Sequence, residues 1–258
     1  MNSLDGKISH LTTILAHGVK LIQFDANGLV ALDKPIGIMA HPNDKSIKKK
    51  EEEKKISLLA APYNAKLKKY SLGNGLDFFL LNRLDSPTSG VIIGCFDHGL
   101  AEAVITSFSL NRVHKKYIAL TKFSPCPKQG HWENFLQKTI VNNKLRLIKT
   151  TGEKCLTDYK ILKIIDAQRL TLALLALKPI TGKTHQLRIQ CAMHNLPILG
   201  DKTYGDFRLN RLFAKTNQPR MCLHSESMEI AYNLQNKEYK FYATSHCPFQ
   251  NTENIELI

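Results

Sequence analysis

Short apolar runs separated by turn-forming residues constrain the fold of this chain more than any other feature. Two of them, residues 19–24 and 29–32, flank the pair Asn27-Gly28, which tolerates the positive φ of a tight turn, so they predict an antiparallel hairpin. Further β-like runs lie at 78–81, 91–96, 115–121 and 171–178, and helical spacing marks 99–110 and 185–194, the latter with Thr184 as a possible N-cap. The pattern predicts an α+β fold with a mixed, largely antiparallel sheet.

Length and composition narrow the class of protein. The 258 residues suffice for one large domain or two small ones. With 43% hydrophobic and 22% charged residues, the chain is not disordered, collagen-like or a coiled coil as a whole. The longest largely apolar run, Leu170 to Leu177, is far shorter than the roughly 20 residues that cross a bilayer. The first residues lack the basic start and apolar block of a secretory signal.

The charge balance indicates the kind of partner. Thirty-six Lys and Arg residues face 22 Asp and Glu residues, a net charge of +14. Such an excess favours a polyanionic partner, because neutralised phosphates release condensed counterions. A basic surface that serves solubility is the alternative. The run at 45–55, KSIKKKEEEKK, is too polar for a core and predicts a charged, exposed insertion near 43–57.

The six cysteines favour a cytoplasmic protein. They show no Cys-x-x-Cys pair and no repeated spacing, so they do not form a disulfide framework. Most lie in apolar or mixed runs, which suits buried, reduced thiols. Cys191 and His194 are three residues apart, but zinc needs four ligands and no second pair lies nearby. We expect no metal site.

A polar segment between two β-like runs is the first candidate for a functional loop. Residues 82–90 read Asn-Arg-Leu-Asp-Ser-Pro-Thr-Ser-Gly. Loops held by rigid strands present charged groups to ligands, which makes Arg83 and Asp85 candidates. From the residues alone, an Asp before Ser-Pro is more often a turn-capping residue.

This segment resembles the central signature of the RluA family of RNA pseudouridine synthases, usually His-Arg-Leu-Asp-x-x-Thr-Ser-Gly. Three further blocks agree in order and spacing. They are residues 34–42, similar to the Lys-Pro-x-Gly segment, residues 116–119, similar to the Lys-x-Tyr strand, and residues 181–188 with 197–205, similar to the carboxy-terminal pair of motifs. The matching blocks extend from about residue 20 to 245, and Asn82 departs from the pattern by replacing the family's His.

The resemblance implies an enzyme that isomerises uridine in structured RNA, either ribosomal or transfer RNA, to pseudouridine. It implies the family's catalytic fold over residues 1–258 as a single domain, without a separate amino-terminal RNA-binding module. RNA is the expected partner of a monomer, and neither a cofactor nor a metal nor a membrane is expected to take part.

Three residues match the family's catalytic positions. Asp85 matches the nucleophile, which acts covalently or by stabilising positive charge on the sugar. Arg188 matches its basic partner, since an adjacent guanidinium favours the ionised carboxylate and fixes its orientation. Tyr117 matches the tyrosine whose ring stacks on the uracil and whose hydroxyl assists proton movement.

Four more residues fall at expected RNA contacts. Arg83 matches the arginine that helps to displace the target nucleotide, because a planar cation can fill the vacated stacking position. Lys34, Lys183 and His185 lie in the matched motifs and either contact the RNA backbone or donate hydrogen bonds that stabilise loops.

Two rival functions remain open at this stage. Asn82 is compatible with a non-catalytic RNA-binding or RNA-chaperone protein on the same scaffold. A metal-dependent nuclease would need several carboxylates around Mg²⁺, and Asp85 alone lies in a matched loop.

Overall fold

The computed structural model describes residues 3–42, 56–141, 144–167, 170–216 and 220–250. They form two compact units, the first from residues 1–113 and 225–246 and the second from residues 114–224 and 247–258. The core of the predicted charged insertion, residues 43–55, lies outside the described residues.

Helices and strands alternate irregularly along the chain. In order they are α1 (Leu4–Thr13), β1 (Lys20–Phe24), β2 (Leu29–Lys34), β3 (Tyr63–Asn64), β4 (Lys69–Ser71), β5 (Asp77–Leu80), β6 (Ser89–Cys95), α2 (His98–Ser109), β7 (Val113–Lys122), β8 (Gln129–Val141), β9 (Lys144–Ala167), β10 (Leu170–Pro179), α3 (Gln186–Met193), α4 (Phe207–Thr216), β11 (Leu223–Leu234) and β12 (Lys237–Thr244). No helix within the described ranges is both long and apolar enough to cross a membrane.

The predicted hairpin is confirmed. β1 and β2 pair antiparallel from Lys20–Asp33 to Phe24–Val30. Asp25 fixes the turn, because its Oδ1 accepts the backbone N–H groups of Asn27 at 3.0 Å and Leu29 at 2.9 Å. Gly28 has φ +88°, which explains why glycine occupies this position.

The first unit is a sheet with apolar residues on both faces. β6 is wholly buried; it pairs antiparallel with β2 and β5 and neighbours β11. Because side chains alternate along a strand, Val30 and Leu32 of β2 face the core that includes α1, whereas Leu29 and Ala31 face the core that includes α2.

Two backbone hydrogen bonds, named here the Met39 clamp, join residue 39 to residues 56–58 in the first unit. Met39 donates its N–H to the carbonyl of Ile56 at 2.9 Å, and Leu58 donates to the carbonyl of Met39 at 2.8 Å. Residue 39 is thus joined to residues 56–58 by backbone hydrogen bonds.

The second unit repeats the two-faced arrangement. β7 pairs antiparallel with β10, β10 with β9, and β9 with β8. Ala119 of β7 faces the core that contains Leu187 and Cys191 of α3, and its neighbours Ile118 and Leu120 face the core that contains Leu209 and Phe213 of α4. The α+β, largely antiparallel prediction is confirmed.

The two predicted helices are present, with one correction. Residues 99–110 correspond to α2, which Asp97 caps by accepting the N–H of Leu100 at 2.8 Å. Thr184 is not the N-cap of α3: His185 occupies that position with φ +56° and no side-chain cap. The loop is held instead by Gln186, whose Oε1 accepts the N–H of Lys183 at 3.0 Å.

The prediction that most cysteines are buried thiols is confirmed. All six cysteines are free thiols and five of them are buried, Cys126 being the half-buried one.

Candidate active site

The loop with Arg83 and Asp85 connects β5 to β6 and is anchored at both ends. Asn82 Oδ1 accepts the N–H of Ile93 at 2.6 Å, and Thr88 donates its N–H to the carbonyl of Asp85 at 2.9 Å. Asn82 therefore ties the start of the loop to β6. That contact gives the residue that departs from the family pattern a structural role.

The Lys-Pro-x-Gly turn and the Asp85 loop are joined directly. Gly37 donates its N–H to the carbonyl of Ser86 at 2.8 Å, and Ser86 Oγ donates to the carbonyl of Gly37 at 2.9 Å. The left-handed backbone of Gly37, with φ +85°, makes this reciprocal pair possible.

Lys34 secures the same junction from inside. It is fully buried, and its ammonium donates to the carbonyls of Pro35, Ile38 and Ser86 at 3.0, 2.8 and 3.2 Å. Burial lowers the pKa of Lys34 to about 7, and the negative charges of Asp85 and Asp33 oppose that fall. These three hydrogen bonds match the loop-stabilising alternative for Lys34, and its RNA contact stays a prediction.

Arg83 and Asp85 differ in exposure. Arg83 is exposed and Asp85 is half-buried. Arg83 lies near Tyr63: burial raises the pKa of Tyr63 and the guanidinium charge lowers it. His41 stacks on Tyr63 with ring centroids 4.8 Å apart and planes 10° from parallel. The exposed guanidinium is thus accompanied by an aromatic pair.

In the second unit, α3 carries Arg188 in a buried ion pair. Arg188 Nε donates to Asp201 Oδ2 at 2.7 Å and Nη2 donates to Oδ1 at 2.8 Å, and the two side chains are 6% and 1% exposed. Such a bidentate pair fixes the guanidinium plane. Burial alone would raise the pKa of Asp201, but the hydrogen bonds and charge of Arg188 outweigh it, so the pKa is lowered.

Tyr204 and His185 complete this cluster. The Arg188 guanidinium carbon lies 5.2 Å from the centroid of the Tyr204 ring, within cation–π range. His185 Nδ1 and the Tyr204 hydroxyl are 3.1 Å apart. Arg188 is therefore held by a carboxylate and accompanied by an aromatic face.

Lys183 and Tyr117 are the remaining predicted residues of the second unit. Lys183 Nζ donates to Glu153 Oε1 at 2.8 Å across a pair that is 37% and 63% exposed. Tyr117 is half-buried on β7, opposite Leu177 of β10. Asp85 belongs to the first unit and Tyr117 and Arg188 to the second, and their convergence stays a prediction.

Sequence reasoning missed Asp201 and Tyr204. Both lie in the matched block 197–205, yet neither received a role. A signal was available in the sequence: Asp201 is an acidic residue in the block that accompanies residues 181–188, and those residues include the predicted basic residue Arg188. Within the described ranges, no group of three or more His, Cys, Asp or Glu side chains is arranged to hold a metal ion.

Comparison with known proteins identifies the family to which this chain belongs. The family model for RNA pseudouridylate synthase matches residues 28–193. The chain belongs to this family, and the resemblance to its RluA members is confirmed.

Individual relatives are similar over most of the chain. Ribosomal large subunit pseudouridine synthase D of Borreliella burgdorferi is 33% identical over 214 residues, which cover 82% of this chain and 61% of that protein. tRNA pseudouridine synthase C of Vibrio vulnificus is 29% identical, covering 64% of this chain and 71% of that protein. The solved structure of human RNA pseudouridylate synthase domain containing 4 has a TM-score of 0.63 at 23% identity, covering 95% of this chain and 93% of the other.

The chain spans only part of the ribosomal enzymes that it matches. It covers 61% of the Borreliella protein and 59% of ribosomal large subunit pseudouridine synthase C of Rickettsia typhi, to which it is 30% identical. The low-identity human structure establishes the fold alone.

Proposed function

We propose that this protein isomerises uridine to pseudouridine in ribosomal or transfer RNA. One observation carries the proposal: the family match over residues 28–193 includes Asp85, Tyr117 and Arg188. The similar proteins are named for action on ribosomal large subunit RNA in one case and on tRNA in another, so both remain candidate substrates.

The reaction rearranges one nucleoside without adding an atom. The bond between N1 of uracil and C1′ of ribose breaks, and a bond between C5 and C1′ forms. The C5 proton leaves and N1 gains a proton. Because the base must turn between the two steps, a carboxylate has to hold the sugar or the base in the interval. We assign this role to Asp85.

The electrostatics of the first unit support the choice of Asp85. Its negative charge acts on the buried ammonium of Lys34, and the Ser86 carbonyl beside it accepts from the same ammonium at 3.2 Å. This loop therefore combines a half-buried carboxylate, a nearby cation and a backbone held on both sides, which is the preorganisation that catalysis needs.

The second unit supplies the other two catalytic residues of the proposal. Asp201 holds two nitrogens of Arg188, and a fixed guanidinium can stabilise the Asp85 carboxylate without further ordering. Tyr117 provides an aromatic face for the uracil and a hydroxyl for proton movement.

Three further residues are proposed to contact the RNA. Arg83, exposed beside Tyr63 and His41, takes the stacking position of the extruded base. Lys183 and His185 contact the backbone, exchanging their present partners Glu153 and Tyr204 for phosphate oxygens. We further propose that the chain works as a cytoplasmic monomer, with its two units forming a single catalytic domain.

Pseudouridine mapping of ribosomal and transfer RNA tests the proposal. Cells without the gene should lose at least one pseudouridine, which returns with the wild-type gene and with Asp158→Asn. Asp158 is a 56% exposed carboxylate paired with His131, so it is a matched control. Asp85→Asn should not restore the site. An unchanged map after deletion, or full restoration by Asp85→Asn, would refute the assignment.

A further inference from the structure

Helix α4 presents a basic surface that the site described above does not use. The helix runs from Phe207 to Thr216 and reads FRLNRLFAKT, with no acidic residue. Its residues Leu209 and Phe213 are buried in the core of the second unit. At 3.6 residues per turn, the outward arc of about 140° contains Phe207, Arg211, Lys215, Arg208 and Leu212, all exposed.

We propose that this arc, named here the α4 stripe, docks the sugar-phosphate backbone of the RNA substrate outside the catalytic site. The choice of RNA rests on the proposed function. Arg208, Arg211 and Lys215 span about 10 Å of helix, and one strand of a duplex presents about three phosphates over that length. Phe207, 58% exposed, offers a ring on which an unpaired base can stack.

The stripe is rigidly connected to the Arg188 pair. Asn210, on the inner side of α4, accepts the N–H of Gly200 at 2.7 Å and donates to the carbonyl of Asp201 at 2.9 Å. Asp201 in turn holds Arg188. A Cβ on Gly205 would lie 2.9 Å from Asn210 Nδ2 and 2.4 Å from the Asp201 carbonyl oxygen, so the junction leaves no room for a larger residue. RNA bound on the stripe would thus be held at a fixed position relative to Arg188.

The start of α4 is stabilised without neutralising the stripe. Asp206 Oδ1 accepts the N–H groups of Arg208 and Leu209 at 3.0 and 3.1 Å. Its other oxygen accepts from Lys122 Nζ at 3.2 Å. The carboxylate nearest to the stripe in sequence is therefore engaged by the backbone and by Lys122.

An anionic membrane surface is the other polyanion that a basic helix can bind. Helices that lie in a membrane interface insert a wide apolar face. In α4 that face, with Leu209 and Phe213, is already buried in the core, and Phe207 and Leu212 alone supply apolar residues to the exposed arc. The composition of the stripe therefore favours RNA.

The test compares two triple variants that remove the same charge. One is Arg208→Ala with Arg211→Ala and Lys215→Ala; the control is Lys66→Ala with Lys237→Ala and Lys240→Ala, three exposed lysines of the first unit. Binding of a fluorescein-labelled stem–loop RNA is measured across a salt series. Each lost phosphate contact reduces the slope of log K against log salt by about 0.7 to 0.9. The α4 triple should lower the slope by about 2 and weaken binding at least tenfold, and the control should change the slope by less than about 1.

Further variants and assays complete the test. A lysine variant, Arg208→Lys with Arg211→Lys, should keep most of the slope, which separates charge from folding. In the isomerisation assay the α4 triple should raise KM with kcat within about threefold of wild type. Equal slopes and affinities for the two triples would overturn the α4 stripe, as would α4-dependent binding to phosphatidylglycerol vesicles in preference to RNA. If the wild-type protein shows no isomerase activity, the proposed function is refuted instead. The salt series still tests RNA binding by the α4 stripe in that case.

Discussion

Replacing Asp201 by Asn tests the buried ion pair of the second unit. The amide keeps an oxygen for the N–H groups of Thr203 and Tyr204, which Asp201 Oδ1 accepts at 2.8 and 3.1 Å. It places an NH₂ group where Oδ2 now faces Arg188 Nε at 2.7 Å. Two donors then meet, and a buried guanidinium loses its countercharge.

The expected loss of stability is large. Removing one partner of a buried pair costs about 3 to 5 kcal/mol, a large share of the roughly 5 to 15 kcal/mol that stabilises a typical protein. For a chain of this size the midpoint of thermal unfolding should fall by about 10 °C. The control, Glu133→Gln, removes an ion pair with Lys154 whose side chains are 46% and 51% exposed; its loss should cost less than about 1 kcal/mol.

Differential scanning calorimetry and urea unfolding measure both variants against wild type. Because the pKa of Asp201 lies below its ordinary value, the stability difference between wild type and Asp201→Asn should persist above that ordinary value. It should shrink as the pH falls below that ordinary value and should be lost once the pH is below the lowered pKa. A midpoint within about 2 °C of wild type, or equal losses in the two variants, would refute the reasoning.

Two more predictions test the first unit. Burial lowers the pKa of Lys34 to about 7, so between that pH and about 10.5 the unfolded chain binds more protons than the folded protein. The stability of wild type relative to Lys34→Met, measured by urea unfolding, should therefore rise by about 2 kcal/mol from pH 6 to pH 9. A difference that does not change with pH would contradict the buried ammonium. Gly90→Ala should yield little folded protein by circular dichroism, because a Cβ there would lie 2.1 Å from the Ser225 carbonyl oxygen at φ +111°. Gly73→Ala, at φ +89° with nothing within 4 Å, should lose only about 1 kcal/mol; equal behaviour of the two would disprove the steric argument.

Local chemistry made the secondary structure predictable. The turn at Asn27-Gly28 is fixed by Asp25, two and four residues from the groups that it accepts, so a short window of sequence contained the whole signal. α2 was predictable for the same reason, since its apolar spacing and the cap from Asp97 are local.

Distant partners limited the prediction of the site. The sequence left Lys34 open between an RNA contact and a loop-stabilising donor, because nothing near it in sequence shows that Ser86, 52 residues away, accepts from its ammonium. Thr184 does not cap α3. Instead Gln186 Oε1 accepts hydrogen bonds from the loop that precedes the helix, from the Lys183 N–H and from Thr181 Oγ1 at 2.7 Å. Asp201 was overlooked because its partner lies 13 residues away on another element, a spacing that no helical or strand periodicity reveals.

The clamp at Met39 has a consequence for how this chain can vary. Its hydrogen bonds to Ile56 and Leu58 run between backbone groups alone. Because neither bond uses a side chain, the clamp should survive exchange of the Met39 or Ile56 side chain, whereas proline at residue 39 or 58 lacks the N–H and would remove one bond.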